Sequence, residues 1–122
     1  MCKYFIVKTA IVVDDDEDTV RIFSEFLEEH SIHVIGKGYN GKDAVKLFND
    51  KKPDIVFVDV MMPEGSGFYA IRKIREIDPQ SKIIAVTADS RTATEEKLIR
   101  LNTSAIIYKP FDIDRILQII NS

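Results

Sequence analysis

Short apolar runs alternate with amphipathic stretches along nearly the whole chain. Five runs lack polar alternation, which is typical of strands covered on both faces of a sheet. These runs are AIVV at 10–13, HVIG at 33–36, IVFV at 55–58, IIAV at 83–86 and AIIY at 105–108. The pattern therefore predicts five strands with buried side chains.

Each predicted strand is followed by apolar residues at helical spacing. In chain order they are Ile22, Phe23, Phe26, Leu27; Ala44, Val45, Phe48; Ala70, Ile71, Ile74, Ile77; Leu98, Leu101; and Ile113, Ile116, Leu117, Ile120. Residues typical of helix boundaries agree with this pattern, with Gly41 before the second helix and Asp78-Pro79 after the third. The alternation predicts a (βα)5 chain of the α/β class, in which helices cover both faces of a parallel sheet.

Length and composition fit one compact domain. The 122 residues are 45% hydrophobic, which is enough for one substantial core. We therefore expect a single domain over residues 1–122. The formal net charge is -3 and the basic residues are spread along the chain, so direct binding to nucleic acid or to an anionic membrane is not expected.

The N-terminal segment MCKYFIVKTAIVV does not have the form of a signal peptide. Lys3 and Lys8 divide its apolar residues into two short runs, and acidic residues follow at once. No other apolar stretch is long enough to span a bilayer. The single cysteine, Cys2, cannot form an internal disulfide and fits a reducing compartment. These features predict a cytoplasmic protein.

Five consecutive acidic residues, Asp14 to Asp18, follow the first predicted strand. Two carboxylates about 4 Å apart repel by roughly 4 kcal/mol at an effective dielectric near 20, so a close cluster needs solvent, a cation or a helix N-terminus. A helix N-terminus accounts for Glu17 and Asp18, and serves for Asp16 as well. A cation better explains Asp14 and its neighbour Asp15, which lie at the strand end.

Polar residues also follow the third, fourth and fifth predicted strands. Loops at the carboxyl ends of parallel strands converge, and ligands bind there. Asp59 follows the third strand, Thr87 the fourth and Lys109 the fifth. Together with Asp14 and Asp15 they place three carboxylates, a hydroxyl and an ammonium at one edge of the predicted sheet.

The segment after Asp59 contains two glycines and two methionines. Gly65 and Gly67 predict a tight loop whose backbone approaches another group closely. Met61 and Met62 are expected to be packing residues rather than sulfur ligands. We therefore expect Met61 to contribute to a site only through its backbone.

Four motifs in this order resemble the receiver domains of two-component response regulators. They are VVDDD, DIVFVDVMMPEGSGF, VTA and YKPF. The resemblance extends from about Thr9 to the last helix. It implies a flavodoxin-like three-layer sandwich whose five parallel strands lie in the order 2-1-3-4-5.

The resemblance implies a phosphorelay chemistry at Asp59. The Asp59 carboxylate accepts a phosphoryl group from a phosphohistidine on a partner, either a sensor histidine kinase or a phosphotransfer protein. Mg²⁺ is the implied cofactor, held by Asp15, Asp59 and the backbone carbonyl of Met61, with Asp14 reached through water. The resemblance therefore implies signal transduction controlled by phosphorylation.

The same resemblance gives roles to Thr87 and Lys109. The hydroxyl and the ammonium hold the phosphoryl oxygens on which charge develops, and a cis bond between Lys109 and Pro110 aims the ammonium inward. Such a chain catalyses its own phosphotransfer and slow dephosphorylation and is not a turnover enzyme. Output is binding to a downstream protein through the fourth helix, fifth strand and fifth helix, a surface that also allows a phosphorylation-dependent homodimer.

Two positions depart from the pattern of many relatives. Ile106 stands where they carry the aromatic residue of the activation switch, and isoleucine is restricted about χ1. We therefore expect activation to move residues 88–92 and the start of the fourth helix, with Tyr108 adjusting by less. Asn102 replaces a frequent glycine, which is tolerable because asparagine adopts left-handed conformations.

Three other functions fit parts of the sequence. A Mg²⁺-dependent phosphohydrolase would use Asp59 as its nucleophile, but Met61 stands where its general acid/base would lie. A flavin-binding protein of the same fold needs N–H groups and hydroxyls around a phosphate, which five acids would repel. A receiver that binds partners without being phosphorylated is the third, and the presence of every phosphorylation residue weakens it.

Overall fold

The computed structural model describes residues 8–110 and 112–121, in which strands and helices alternate strictly. The strands are β1 (Lys8–Val13), β2 (Ile32–Gly38), β3 (Ile55–Asp59), β4 (Lys82–Thr87) and β5 (Ala105–Tyr108). The helices are α1 (Glu17–Glu29), α2 (Gly41–Lys51), α3 (Ser66–Ile77), α4 (Thr92–Arg100) and α5 (Ile113–Ile120), with a 3-10 turn, Pro63–Gly65, directly before α3. All five predicted strands and all five predicted helices are confirmed, whereas Lys3 and Cys2 lie outside the described residues.

The five strands form one parallel sheet in the order β2-β1-β3-β4-β5. The predicted strand order and α/β fold are confirmed. The register aligns the carboxyl ends of the inner strands, since Val13 pairs with Val58 and Asp59 pairs with Val86. Thr87 at the end of β4 likewise pairs with Tyr108 at the end of β5. The residues that follow these strands therefore emerge side by side.

Helices pack on both faces of the sheet and make it the middle of three layers. Alternate strand residues face opposite sides, so each face has its own apolar core. One core joins β1 to α1 and α5 through residues such as Val12, Phe23 and Ile116. The other joins the sheet to α2, α3 and α4 and includes Ile71 and Leu98. The two cores hold the strand ends, and hence the site, in fixed relative positions.

The two edge strands are less buried than their apolar sequences predict. All five residues of β3 are buried, but β2 exposes His33 and Lys37, and Tyr108 of β5 is 39% exposed. An edge strand has a neighbour on one side only, and the helices that cover the centre of the sheet reach its margins less completely. The prediction of full burial is therefore wrong for β2 and β5.

The backbone of Asn102 matches the sequence prediction. Asn102 has a left-handed φ of 61°, as its replacement of glycine predicted. In residues 8–110 and 112–121 no helix combines the length and the apolar character required to cross a membrane.

Candidate functional site

The carboxyl ends of β1, β3, β4 and β5 bring the predicted site residues to one edge of the sheet. Asp14 follows β1, Asp59 ends β3 and Thr87 ends β4, and all three are at least 95% buried. Lys109 follows β5 and is partly buried, while Asp15 is exposed. The site is therefore a floor of buried polar groups with one carboxylate open to solvent.

Three carboxylates converge at this edge. One oxygen atom from each of Asp14, Asp15 and Asp59 lies within 4.8 Å of the others. The Lys109 ammonium lies 3.0 Å from an Asp14 oxygen and 3.7 Å from an Asp59 oxygen. One ammonium against three carboxylates leaves two negative charges uncompensated, so the cluster is electrostatically suited to a divalent cation.

Burial, hydrogen bonds and neighbouring charges shift the pKa of two members of the cluster. Burial, reinforced by the negative charge of Asp14, raises the pKa of the Asp59 carboxyl although Met61 and Lys109 act in the opposite direction. Burial alone would lower the pKa of Lys109, but its hydrogen bond to Asp14 and the charge of Asp59 outweigh burial and raise it. Lys109 therefore remains an ammonium at neutral pH.

The backbone after β3 fixes the orientation of the Asp59 carboxylate. The Met61 N–H donates to one Asp59 oxygen at 3.0 Å, and the other oxygen faces Lys109. Met62 is buried in the core beneath α3, as predicted. Met61 is instead 48% exposed, because the chain turns outward at this point. The prediction of a packing role is therefore wrong for Met61. Its backbone, and not its side chain, contacts the site.

Gly67 allows α3 to begin directly against the end of β3. A Cβ atom at Gly67 would collide with the Asp59 carbonyl oxygen and with the Cα atom of Val60. Gly65 has a φ of 68°, a left-handed conformation that favours glycine. The predicted close backbone approach is confirmed at Gly67, and it sets the path of the chain around Asp59.

Thr87 is fully buried and its hydroxyl is held from the following loop. The Asp89 N–H donates to Thr87 Oγ1 at 2.9 Å, which leaves the hydroxyl hydrogen available for another acceptor. The Lys109 N–H donates to the Thr87 carbonyl oxygen at 2.8 Å. The peptide bond between Lys109 and Pro110 is cis, as the resemblance implied. β4 and β5 thus present Thr87 and Lys109 together.

The other three acidic residues of the run from Asp14 to Asp18 belong to the start of α1. Glu17 and Asp18 occupy its first turn, as predicted. Asp16 accepts from the Thr19 hydroxyl at 2.6 Å, and this hydrogen bond lowers the pKa of Asp16. The Asp16 N–H donates to Asp14 at 2.9 Å, which helps to orient that buried carboxylate. The five acids therefore divide between the site and the helix.

Two features of this edge were not predicted from the sequence. A cleft of about 480 Å³ opens beside Asp15, with Tyr39 and Tyr69 among its lining residues. The loop after β4 also contains a hydrogen-bonded cluster around Asp89 and Arg91. The polar run at 89–92 indicates a loop before a helix, although Arg91 rather than Asp89 occupies the N-cap position. Nothing comparable in the sequence marks the cleft.

The donor atoms at this edge fit Mg²⁺. The ion prefers hard oxygen ligands and retains several waters. Buried Asp14 and Asp59 supply oxygen atoms on the protein side, and exposed Asp15 leaves a side open to solvent. The two uncompensated negative charges match the charge of the ion.

Comparison with known proteins gives one consistent result. The family model described as "Response regulator receiver domain" matches residues 10–121. Chemotaxis protein CheY of Thermotoga maritima is 33% identical over 114 residues, which cover 93% of this chain and 95% of that protein. Chemotaxis protein CheY of Bacillus subtilis is 32% identical over 111 residues, covering 91% and 92%.

Solved structures agree with the fold. The CheX-CheY-BeF3-Mg complex of Borrelia burgdorferi contains a chain with a TM-score of 0.86 and 23% identity, with 93% of this chain and 86% of that chain covered. A DNA-binding response regulator of the LuxR family from Staphylococcus aureus gives a TM-score of 0.86 and 25% identity, with 93% and 96% covered. This chain therefore belongs to the response regulator receiver domains, a family of two-component signalling domains rather than turnover enzymes.

Proposed function

We propose that this chain is the phosphoacceptor of a phosphorelay and that Asp59 receives the phosphoryl group. The observation that supports this proposal is a buried carboxylate at a strand end, close to two further aspartates and a lysine ammonium. The donor is a phosphohistidine on a sensor histidine kinase or a phosphotransfer protein. His30 and His33 do not serve as the donor, because they lie at the end of α1 and the start of β2, at the opposite edge of the sheet from Asp59.

The proposed transfer begins with attack by an Asp59 oxygen on the phosphorus. The new P–O bond forms while the P–N bond of the donor breaks, and its electron pair leaves on the imidazole nitrogen. The Met61 N–H holds one Asp59 oxygen, so the carboxylate is oriented before the donor arrives. Pre-orientation lowers the entropy that the encounter must lose.

Mg²⁺ is the proposed cofactor of this step. Asp14, Asp15, Asp59 and the Met61 carbonyl would hold it, with Asp14 through water. The ion would supply positive charge that neutralises the phosphoryl oxygens as they approach the carboxylates. Without it, the negative charge of the site would oppose an anionic donor.

Thr87 and Lys109 complete the proposed site. The Lys109 ammonium contacts both Asp14 and Asp59, so it lies where an oxygen of a phosphoryl group on Asp59 would arrive. The Thr87 hydroxyl accepts from the Asp89 N–H. Its free hydrogen would be donated to a second phosphoryl oxygen. Loss of the phosphoryl group by slow hydrolysis at the same site would return the chain to its resting state.

The wider setting is proposed on the same basis. We expect residues 1–122 to form one receiver domain in the cytoplasm. Output is binding to a downstream protein through α4, β5 and α5, where Ile99, Tyr108 and Ile113 are exposed. The same surface would serve a phosphorylation-dependent homodimer.

Intact-mass measurement after incubation with acetyl phosphate and Mg²⁺ tests the proposal. One acid-stable, hydroxylamine-labile phosphoryl group should appear, as expected for an acyl phosphate. Asp59→Asn should abolish it with the fold intact. Asp50→Asn is the matched control, because Asp50 is an exposed carboxylate on α2 that pairs with Lys46 and should leave labelling unchanged. Equal labelling of the Asp59 variant would contradict the assignment, and no labelling of the wild type would favour a receiver that only binds partners.

A further inference from the structure

Asp89 carries a carboxylate that the proposed phosphotransfer does not use. Its side chain is 8% exposed and accepts from Arg91 Nη2 at 2.7 Å and from Arg91 Nε at 2.9 Å. It also accepts from the Thr94 hydroxyl at 2.6 Å and from the Arg91 N–H at 3.0 Å. Arg91 directly precedes α4 and Thr94 lies in its first turn, so the Asp89 carboxylate is attached to the start of that helix.

The backbone of Asp89 is attached to the phosphorylation site. Its N–H donates to Thr87 Oγ1, the hydroxyl proposed to hold a phosphoryl oxygen. A displacement of that hydroxyl must therefore either move Asp89 or break this hydrogen bond. Three further hydrogen bonds join the Asp89 carboxylate to Arg91, which directly precedes α4, and one joins it to Thr94 in the first turn, so a movement of Asp89 would pull on the start of the helix.

The first turn of α4 is connected in turn to the exposed end of β5. The Tyr108 hydroxyl donates to a Glu95 oxygen at 3.2 Å, and Glu95 follows Thr94 in the helix. Ile106, by contrast, is half-buried against the core beneath α3 and α4. One series of contacts from Thr87 to the outer face of the molecule thus passes through Asp89 and the helix, alongside the direct backbone hydrogen bond between Thr87 and Lys109.

We infer that Asp89 is a positioning residue that couples Thr87 to the first turn of α4. Occupancy of the phosphorylation site would then change the face formed by α4 and β5 through Asp89 rather than through the side chain of Ile106. The inference rests on the proposed function of Asp59. Because coupling between two sites is reciprocal, a partner bound to this face would alter the affinity of the site for a phosphoryl group.

Amide chemical shifts with and without beryllofluoride plus Mg²⁺ test this coupling. In the wild type, shifts should change both at residues 59–61 and along residues 92–100. In Asp89→Ala the change at residues 59–61 should persist, while the change along residues 92–100 should be lost. The control is Asp112→Ala, which removes the N-cap carboxylate of α5, a hydrogen-bonded aspartate before a different helix, and should retain both responses.

A second variant separates coupling from a general disturbance of the loop. The double variant Arg91→Gln with Thr94→Val replaces the two side chains that donate to the carboxylate but leaves Asp89 and its N–H in place. It should show the same loss along residues 92–100, with the response at residues 59–61 retained. An α4 response of wild-type size in either variant would overturn the inference.

The proposed function fails in a different way. If the wild type shows no change at residues 59–61 and behaves like Asp59→Asn, the phosphoacceptor assignment is wrong, and the coupling inference is overturned with it. If the wild type responds at residues 59–61 but not along residues 92–100, the phosphoacceptor assignment stands and only the coupling is wrong.

Discussion

The carboxylates of Asp14, Asp15 and Asp59 lie close together because two chain segments, the loop after β1 and the end of β3, bring them there, although each repels the others. Lys109 compensates for one of the three charges through contacts at 3.0 Å and 3.7 Å. Solvent around exposed Asp15 screens part of the remaining repulsion. The site therefore carries an electrostatic cost when no cation is bound, and binding of a cation removes that cost.

Asp15→Ala should abolish Mg²⁺ binding and yet preserve or raise thermal stability when Mg²⁺ is absent. The variant loses a ligand and also loses a repulsive charge, and since Asp15 is exposed the gain should not exceed about 1 kcal/mol. Metal titration and melting curves without Mg²⁺ measure the two effects. Asp18→Ala is the contrast, because loss of an acid from the first turn of α1 should lower stability by about 0.3–1 kcal/mol and leave Mg²⁺ binding intact. Unchanged affinity in Asp15→Ala would show that the metal site is misplaced.

Asp89 should contribute to the dependence of stability on pH. Its hydrogen bonds to Arg91 and Thr94 hold the pKa of the carboxyl well below its usual range. A carboxyl with a lowered folded-state pKa stabilises the fold above its ordinary pKa and loses that contribution as the pH falls below it. The free energy of unfolding of the wild type should therefore fall more steeply on acidification below about pH 4 than that of Asp89→Asn. Urea unfolding at a series of pH values gives both curves, and parallel curves would contradict the expectation.

Among the secondary structure elements, the junction of β3 and α3 controls the shape of the site most directly. The helix begins so close to the strand that Gly67 has no room for a side chain. At the opposite edge of the sheet, Arg75 near the end of α3 donates to the carbonyl oxygens of Pro79, Ser81 and Asn102. α3 is thus fixed at both ends, so its start cannot shift without cost.

Gly67→Ala should destabilise the fold and slow phosphorylation of Asp59 together. The new Cβ meets backbone atoms of Asp59 and Val60, so α3 must move away from β3, at about 1–3 kcal/mol. That movement also disturbs the Met61 N–H that orients the Asp59 carboxylate. Chemical unfolding and the rate of labelling by acetyl phosphate measure the two effects.

Gly65→Asn provides the control for this prediction. A Cβ at Gly65 meets no atom within 4 Å, and asparagine tolerates its φ of 68°. Stability and labelling should both remain close to those of the wild type. A larger loss in Gly65→Asn than in Gly67→Ala would mean that backbone conformation, rather than close packing, controls this junction.

Across the sheet, the site joins parts of the chain that are distant in sequence. Lys109 reaches Asp14 across 95 positions of sequence, and β1, β3, β4 and β5 each contribute a group. A ligand that bridges these groups binds the folded chain and not the unfolded one. Its binding free energy should therefore add to the stability of the fold as a whole.

Beryllofluoride together with Mg²⁺ should raise the melting temperature of the wild type by several degrees. At a ligand concentration one hundred times Kd the stabilisation is about 2.7 kcal/mol. For a domain of this size each kcal/mol shifts the melting temperature by roughly 3–6 °C. Asp59→Asn should show no such rise, and Mg²⁺ alone should raise the wild type by less. An equal rise in both proteins would place the binding elsewhere.

Apolar periodicity was sufficient to predict every strand and helix of the described chain. Neighbouring residues such as Ile11 and Val12 face opposite sides of β1, and both are apolar because both faces of the sheet are covered. This pattern can be recognised from the sequence of the strand itself. The order of Asp14, Asp59, Thr87 and Lys109 at strand ends was equally readable, since parallel strands place their carboxyl ends at one edge. These predictions depend on residues close together in the chain.

Tertiary packing alone decided how those groups meet. The preference of Lys109 for Asp14, the attachment of Asp89 to α4 and the cleft between Tyr39 and Tyr69 depend on side chains brought together from separate loops. The exposure of β2 and β5 likewise follows from their places at the sheet edges, which an apolar run does not report. Periodicity reflects the burial averaged along one element, whereas these contacts depend on distances between elements that only the packed structure sets.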